Sequence, residues 1–311
     1  MRHGAAACAA LAVLGLAGCA RTAPQAAGDS PSSRAAAAIA APSPTVSATP
    51  SPTVSQQPCV APDGFSCAMA SRIAEVQQYL AGRPGQIGIV LHDRQTGATW
   101  RNGAAYTDLP AASTIKLAIV TDLLLRNGSG AIQLTGGDWS LIHNALHESS
   151  DTAADALWQS FEDGSFLQRI RAFGMRNAYF TTPSAPYWGF MYCSASDLDH
   201  LMNYVLDSIP TGARLYITRQ IQHVAPIQQW GVWGAGPQNQ PGNKDGWEDD
   251  GGTWITNTVG FAGPDARYTL AIMYDTAGSR GFHYGSTTLS QVASLLFQGH
   301  LGPAPTAEAT P

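Results

Sequence analysis

Ala112-Ser113-Thr114-Ile115-Lys116-Leu117-Ala118-Ile119-Val120 follows a loop ending at Pro110 and runs into Thr121-Asp122-Leu123-Leu124-Leu125. The run is apolar enough for a buried helix. Ser113 and Lys116 are three residues apart, so on that helix they face the same way, one turn above the other. An ammonium sunk among Ile115, Ile119 and Val120 loses hydration and its pKa falls. A neutral lysine then becomes a base able to activate the neighbouring hydroxyl. Taken alone, the same spacing also describes an N-capping serine beside a lysine snorkelling from a core helix. The rest of the chain decides between the two.

Working outward from this stretch, Ile87 to Asp93 reads as a strand, Asp93-Arg94-Gln95-Thr96-Gly97 as a turn, and Ala98-Thr99-Trp100 as a second strand. Upstream, Ile73, Val76 and Leu80 have helical spacing, with Ser71 as the expected cap. Helical stretches follow the central motif near 141–146, 152–160, 166–173 and 196–206. Strands return at 253–261 and 267–274, joined through Gly263-Pro264-Asp265, and a closing helix is expected over 287–297. The pattern is a strand pair, helices, strands, then a helix. It suits one antiparallel sheet in which early and late sequence meet, with an all-helical lobe inserted between them.

Two further clusters carry polar chemistry. His147-Glu148-Ser149-Ser150-Asp151-Thr152-Ala153-Ala154 lies between two helical stretches, and Asn243-Lys244-Asp245-Gly246-Trp247 precedes the late strands. In order, Ser-x-x-Lys, a serine-led turn before Ala-Ala, and a Lys-x-Gly strand resemble the signature set of class A β-lactamases and penicillin-binding proteins, including actinobacterial lipoproteins of that superfamily. The resemblance spans about Gly82 to Gly299 and extends to Trp230-Gly231-Val232 and Asn257-Thr258-Val259-Gly260.

The resemblance implies an α+β fold, a five-stranded antiparallel sheet flanked by helices, and a serine acyl-hydrolase acting on a β-lactam or peptidoglycan-type amide. Ser113 matches the acylated nucleophile and Lys116 its base. Ser149 matches the proton-relaying hydroxyl, with Ser150 as the other register, and Lys244 the lysine of the pocket. The backbone N–H groups of Ser113 and Trp247 match the oxyanion hole. Asp151, Asp245 and Gly246 fall at substrate-binding positions. The departures bear on substrate. Asp151 stands where an asparagine amide is usual, and Asp245 where a threonine is. Acid in the cleft would favour a substrate bearing an amine; in the other reading, Asp151 and Asp245 pair with Lys116 and Lys244. No Glu-x-x-Leu-Asn stretch lies between Trp158 and Ser196, so the glutamate that releases the acyl group in class A β-lactamases has no counterpart. A ligand-binding module that keeps the fold without catalysis is the competing reading.

The chain has 311 residues, 44% hydrophobic and 13% charged, with a net charge of −5, which offers no basis for a nucleic-acid partner. Residues 1–18 have the layout of a signal peptide. Leu16-Ala17-Gly18-Cys19 looks like the lipobox of bacterial lipoproteins, which implies a lipidated Cys19 and anchorage on the outer face of a bacterial cytoplasmic membrane. Residues 19–58 are a tether rich in Ala, Pro, Ser and Thr. Residues 59–300 are the expected hydrolase domain and 301–311 a frayed tail. Cys59, Cys67 and Cys193 remain for disulfides. Cys59 with Cys67 closes the shortest loop, and a bond from either to Cys193 is the alternative. No metal or cofactor is expected, and the protein reads as a monomer acting on a cell-envelope substrate.

Overall fold

A computed structural model describes residues 64–278 and 280–302. Cys19, Cys59, the tether and residues 303–311 of the tail lie outside them. The chain divides into two units, residues 1–55 and 56–311; the architecture below belongs to the second.

The helix α1 (Cys67–Leu80) starts earlier than its pattern indicates. Ser66, not Ser71, is its cap, accepting from the Met69 amide at 3.2 Å. It buries Met69, Ile73, Val76 and Leu80, one stripe at helical spacing. Each such aliphatic side chain contributes about 1.5–3 kcal/mol when fully buried. The stripe lies against α8 (Phe282–Gln298), which buries Leu289, Val292 and Leu296 on the same layer.

Beneath these two helices is a five-stranded antiparallel sheet in the order β2-β1-β8-β7-β6, formed by β1 (Gln86–Asp93), β2 (Thr99–Gly103), β6 (Gly242–Asp250), β7 (Thr253–Ala262) and β8 (Tyr268–Asp275). Early β1 pairs with late β8, Gln86 opposite Asp275 through Asp93 opposite Tyr268, so the two ends of the domain's sequence meet in mid-sheet as expected. β6 forms the open edge.

The opposite face of the sheet carries the inserted helices: α2 (Lys116–Gly128), α3 (Gly136–His147), α4 (Asp151–Phe161), α5 (Phe166–Ala172), α6 (Ala195–Asp207) and α7 (Thr211–Gln222). Their core joins Leu117, Val120, Leu146, Leu157, Ile170 and Leu201 to Val259 and Phe261 of β7. A second small sheet, β3 (Leu109–Pro110), β4 (Tyr179–Phe180) and β5 (Met191–Cys193), lies beside the lobe in the order β3-β5-β4.

Cys67 is disulfide-bonded. Cys193 is free and fully buried, which removes the pairing of Cys193 with either of the other two. No helix among the described residues is long and apolar enough to cross a membrane.

Candidate active site

Ser113 sits in a 3-10 turn, Ala112–Ile115, that winds directly into α2. The turn is entered through Ala112 at φ +45°, a left-handed conformation that an alanine adopts only when its surroundings hold it. Asn257 of β7 supplies part of that hold, donating through Nδ2 to the carbonyls of Pro110 (2.8 Å) and Ala111 (3.2 Å). Lys116 is the first residue of α2 and has no exposed surface. Its Nζ donates to Ser113 Oγ at 2.8 Å, to the Ser149 carbonyl at 2.5 Å and to Asp151 Oδ1 at 2.5 Å. Burial pushes its pKa below the usual lysine range, while Asp151 pulls the other way and only partly offsets it.

Ser149 lies between α3 and α4 at φ +62°. Its Oγ accepts from Lys244 Nζ at 2.8 Å, so this one residue touches both lysines. Ser150 caps α4 instead, accepting from the Ala153 amide. Ser149 therefore contacts both lysines, whereas Ser150 serves the end of the helix.

Lys244 reaches the cleft by strand alternation. β6 pairs with β7 without interruption, from Gly242 opposite Phe261 to Asp250 opposite Thr253. Successive side chains therefore take opposite faces. Lys244, Gly246, Glu248 and Asp250 share the face of the helical lobe. Asn243, Asp245 and Trp247 take the other, where the Trp247 ring meets Trp230 and Phe282. Lys244 is fully buried and its Nζ donates to Ser149 Oγ, to Gln228 Oε1 (2.6 Å) and to the Asp245 carbonyl (2.7 Å). Burial and the neighbouring Lys116 drive its pKa far down.

A Cβ at Gly246 would come within 2.8 Å of the Ser113 nitrogen and 2.7 Å of the Thr114 nitrogen, so the strand runs directly against the nucleophile's turn. The Asp245 amide donates to Gln228 Oε1 at 3.3 Å and so points off the open edge of the sheet. Two residues on, the Trp247 amide points off that same edge.

Asp245 departs from its expected substrate-binding position. Its side chain is on the face away from the cleft, fully buried, and accepts from Thr258 Oγ1 at 2.6 Å. It makes no ion pair with Lys244; what Lys244 touches is its backbone carbonyl. Asp151 pairs with Lys116, with 73% of its side chain exposed.

Three contributors were not assigned from sequence. Gln228 holds Lys244 through Oε1 and the carbonyls of Leu146 and His147 through Nε2. The Trp188 ring lies 4.8 Å from Lys116 Nζ, close enough for a cation–π contact. Asp155 aims that ring, accepting from Trp188 Nε1 at 2.9 Å and Tyr187 Oη at 2.6 Å. The aromatic run around Trp188 and the polar Asp155 on α4 were visible signals, whereas Gln228 sits in a loop with no motif.

No family model matches the chain. LppW of Mycobacterium tuberculosis, a protein provisionally named a lipoprotein, is 26% identical over 226 residues, 69% of this chain and 71% of LppW. The crystal structure of a β-lactamase from Burkholderia vietnamiensis superposes with a TM-score of 0.61 at 19% identity, covering 75% of this chain and 97% of that one. The structure of PBP-A gives 0.62 at 18% identity, with 74% and 95% covered. The chain has the class A β-lactamase fold. Within that fold the Ser113 turn, the Ser149 connection and the edge strand β6 meet at one cleft. Glu162 and Asp163 lie away from it: Glu162 accepts from the Gly164 amide and Asp163 pairs with Arg126 and Arg169.

Proposed function

We propose that this protein is a serine acyl-hydrolase that forms an acyl-enzyme through Ser113 on a β-lactam or a peptidoglycan-type amide. The observation that carries this reading is the paired contact of Lys116 Nζ with Ser113 Oγ and of Lys244 Nζ with Ser149 Oγ, each 2.8 Å. In the neutral form that burial favours, Lys116 takes the hydroxyl proton as Ser113 Oγ attacks the carbonyl carbon. The tetrahedral oxygen is received by the backbone N–H groups of Ser113 and Trp247, a kind of donor whose loss typically costs about 3 kcal/mol of barrier. Collapse breaks the C–N bond, and the departing nitrogen takes its proton from Ser149 Oγ, which is replenished from the adjoining lysines. The lack of a Glu-x-x-Leu-Asn stretch between Trp158 and Ser196 supports slow release of the acyl group, or its transfer to an acceptor other than water.

The lipoprotein name of LppW and the Leu-Ala-Gly-Cys sequence ending at Cys19 together support anchorage by a diacylated Cys19 on the outer face of a bacterial membrane. The test is labelling of the full chain with a fluorescent penicillin and with a fluorophosphonate. Label on Ser113 that disappears in Ser113→Ala is expected, followed by decay of the adduct mass over time. A folded protein that takes no label from either reagent would reject the reading and leave a binding module.

A further inference from the structure

Gln228 has no exposed surface, and every hydrogen-bonding position of its carboxamide is used. Nε2 donates to the carbonyls of Leu146 at 2.6 Å and His147 at 2.9 Å. Carbonyls only accept, so the amino end of the amide is fixed on that side. Oε1 takes the other side, accepting from the Asp245 amide at 3.3 Å and from Lys244 Nζ at 2.6 Å. A flipped amide would press its N–H groups on the Asp245 N–H and its oxygen on two carbonyl oxygens. One orientation is left.

Both ends of this brace matter to the cleft. Leu146 and His147 close α3, where the last turn of a helix leaves carbonyls without intrahelical partners. Ser149 follows at φ +62°, a conformation that a serine keeps only when its surroundings hold it. The backbone beside Gln228 adds to that hold. The Ala225 amide donates to the His147 carbonyl at 2.9 Å, and the Gln228 carbonyl accepts from Asn243 Nδ2 on β6 at 2.9 Å. The turn Pro226–Gln228 thus joins the end of α3 to the strand that carries Lys244.

The other end governs the hydrogens of Lys244. Three oxygens surround Nζ: Gln228 Oε1, the Asp245 carbonyl at 2.7 Å and Ser149 Oγ at 2.8 Å. The first two only accept, whereas a hydroxyl both donates and accepts. A neutral amine gives its two N–H groups to the two carbonyl oxygens. Its lone pair then faces Ser149, whose hydrogen points to Nζ. In an ammonium the third N–H goes to Ser149 Oγ, and the serine hydrogen turns away into the cleft. The bonds to Gln228 and Asp245 are the same in both states.

We infer that Gln228 is a positioning residue for the acyl transfer proposed above. It occupies one direction at Lys244 Nζ, the Asp245 carbonyl occupies the second, and the Ser149 hydroxyl is the one partner whose hydrogen Lys244 directs. Lys116 is arranged alike, with the Ser149 carbonyl and Asp151 as its acceptors and Ser113 Oγ as its hydroxyl. Each lysine thus directs one serine.

The consequence for acylation rests on the acyl-enzyme reading; the brace itself does not. Gln228→Met keeps the length of the side chain and removes all four bonds. Per folded molecule, labelling of Ser113 by a fluorescent penicillin, whose nitrogen must be protonated to leave, should slow by roughly 10²-fold, as for a misplaced group. A fluorophosphonate, which expels fluoride, should slow far less. In a Ser149→Ala background the same substitution should add little to the loss with penicillin, because Gln228 acts through that hydroxyl. Equal slowing of both reagents, or a full further loss in the Ser149→Ala background, would leave Gln228 a structural support only and overturn the inference.

A second variant reads the brace without acylation. Lys116 and Lys244 are the only lysines in the sequence, so nitrogen-15 labelling of lysine gives the full chain two side-chain signals, assigned with Lys116→Met. The charged groups acting on Lys244 are Lys116 of α2, Asp151 of α4 and Asp245 of its own strand, while Gln228 faces it as a neutral group. Gln228→Glu puts a carboxylate in that place. The Lys244 signal should then titrate about 1–3 pH units higher than in the wild type, with Lys116 much less affected. An unmoved Lys244 signal would overturn the inference even if labelling is robust. A wild type that takes no label from either reagent, while the Lys244 signal moves as expected, would instead count against the acyl-enzyme reading alone.

Discussion

The cleft holds two fully buried lysines, and they are not equivalent. Lys116 has an anionic partner, Asp151, whose side chain is largely in solvent, and an aromatic face from Trp188. Lys244 has no ion pair among the described residues; it is held by neutral oxygens of Ser149, Gln228 and the Asp245 backbone. Burial depresses both, and Lys244 further, because its desolvation is the more complete and Lys116 adds repulsion, while Lys116 is partly compensated by Asp151. A lysine with a solvent-connected counter-ion can pass between charged and neutral forms with little rearrangement. One caged by dipoles is fixed in place and sets the field around it. Under the proposed acyl-enzyme function, the contrast favours Lys116 for proton transfer and Lys244 for orienting Ser149 and the substrate.

Substitution at the two lysines separates these roles most sharply. Lys116→Met is expected to slow labelling of Ser113 by about 10²–10⁴-fold at saturating reagent, the usual contribution of a positioned base. Lys244→Met should raise the reagent concentration needed for half-maximal rate more than it lowers the maximal rate. Stopped-flow labelling across reagent concentrations distinguishes the two. Equal effects at both positions would erase the contrast.

Gly246→Ala tests whether β6 must lie against the Ser113 turn. The added carbon would meet two backbone nitrogens, and backbone cannot swing aside. A stability loss of about 1–3 kcal/mol is expected, as for overpacked cores, with labelling reduced even in the folded fraction. Denaturant melts read beside labelling stoichiometry give both quantities. Unchanged labelling would mean that strand and turn are not in register.

Much of this was legible in the sequence because periodicity fixes direction. Three residues along a helix put Ser113 beside Lys116, and the strand that delivers Lys244 to the cleft follows the same rule. The alternation that brings Lys244 inward also turns Asp245 away, so its burial was implicit in the strand assignment, even though its type and position pointed to substrate. The Ala-Ala pair after Ser149 set the register that separated it from Ser150. What the pattern does not contain are contacts made by residues distant in sequence. Gln228 sits in a short 3-10 turn, Pro226–Gln228, and reaches Lys244 only after the whole sheet has formed. The small sheet β3-β5-β4 has strands of two or three residues, too short to alternate. The helix α7 buries only Ile217 and Ile221, too few to leave an apolar stripe.

A smaller effect probes the counter-ion. Asp151→Asn removes the anion that holds Lys116 charged, so the Lys116 pKa should fall further and the acid limb of the labelling profile should move to lower pH. Below the limb the variant labels faster than the wild type. Since Asp151 is 73% exposed, solvent screens the pair, and the gain should be a few-fold, in line with the roughly 0.2–1 kcal/mol of exposed ion pairs. A limb that stays in place would show that Asp151 does not govern the base.

The smallest expected effect on chemistry belongs to Ser150, and it isolates its neighbour. Ser150 Oγ serves the α4 amides and touches neither lysine, so Ser150→Ala should cost about 1 kcal/mol of stability, as lost N-caps do. Its labelling rate per folded molecule should not change. Ser149→Ala should do the reverse, leaving the cap intact while slowing acylation by reagents whose nitrogen must be protonated to leave. A fluorophosphonate expels fluoride, which requires no such relay, so it should label Ser149→Ala far more nearly at the wild-type rate than a penicillin does. If both reagents slow equally, the Ser149 hydroxyl orders the cleft and does not pass a proton.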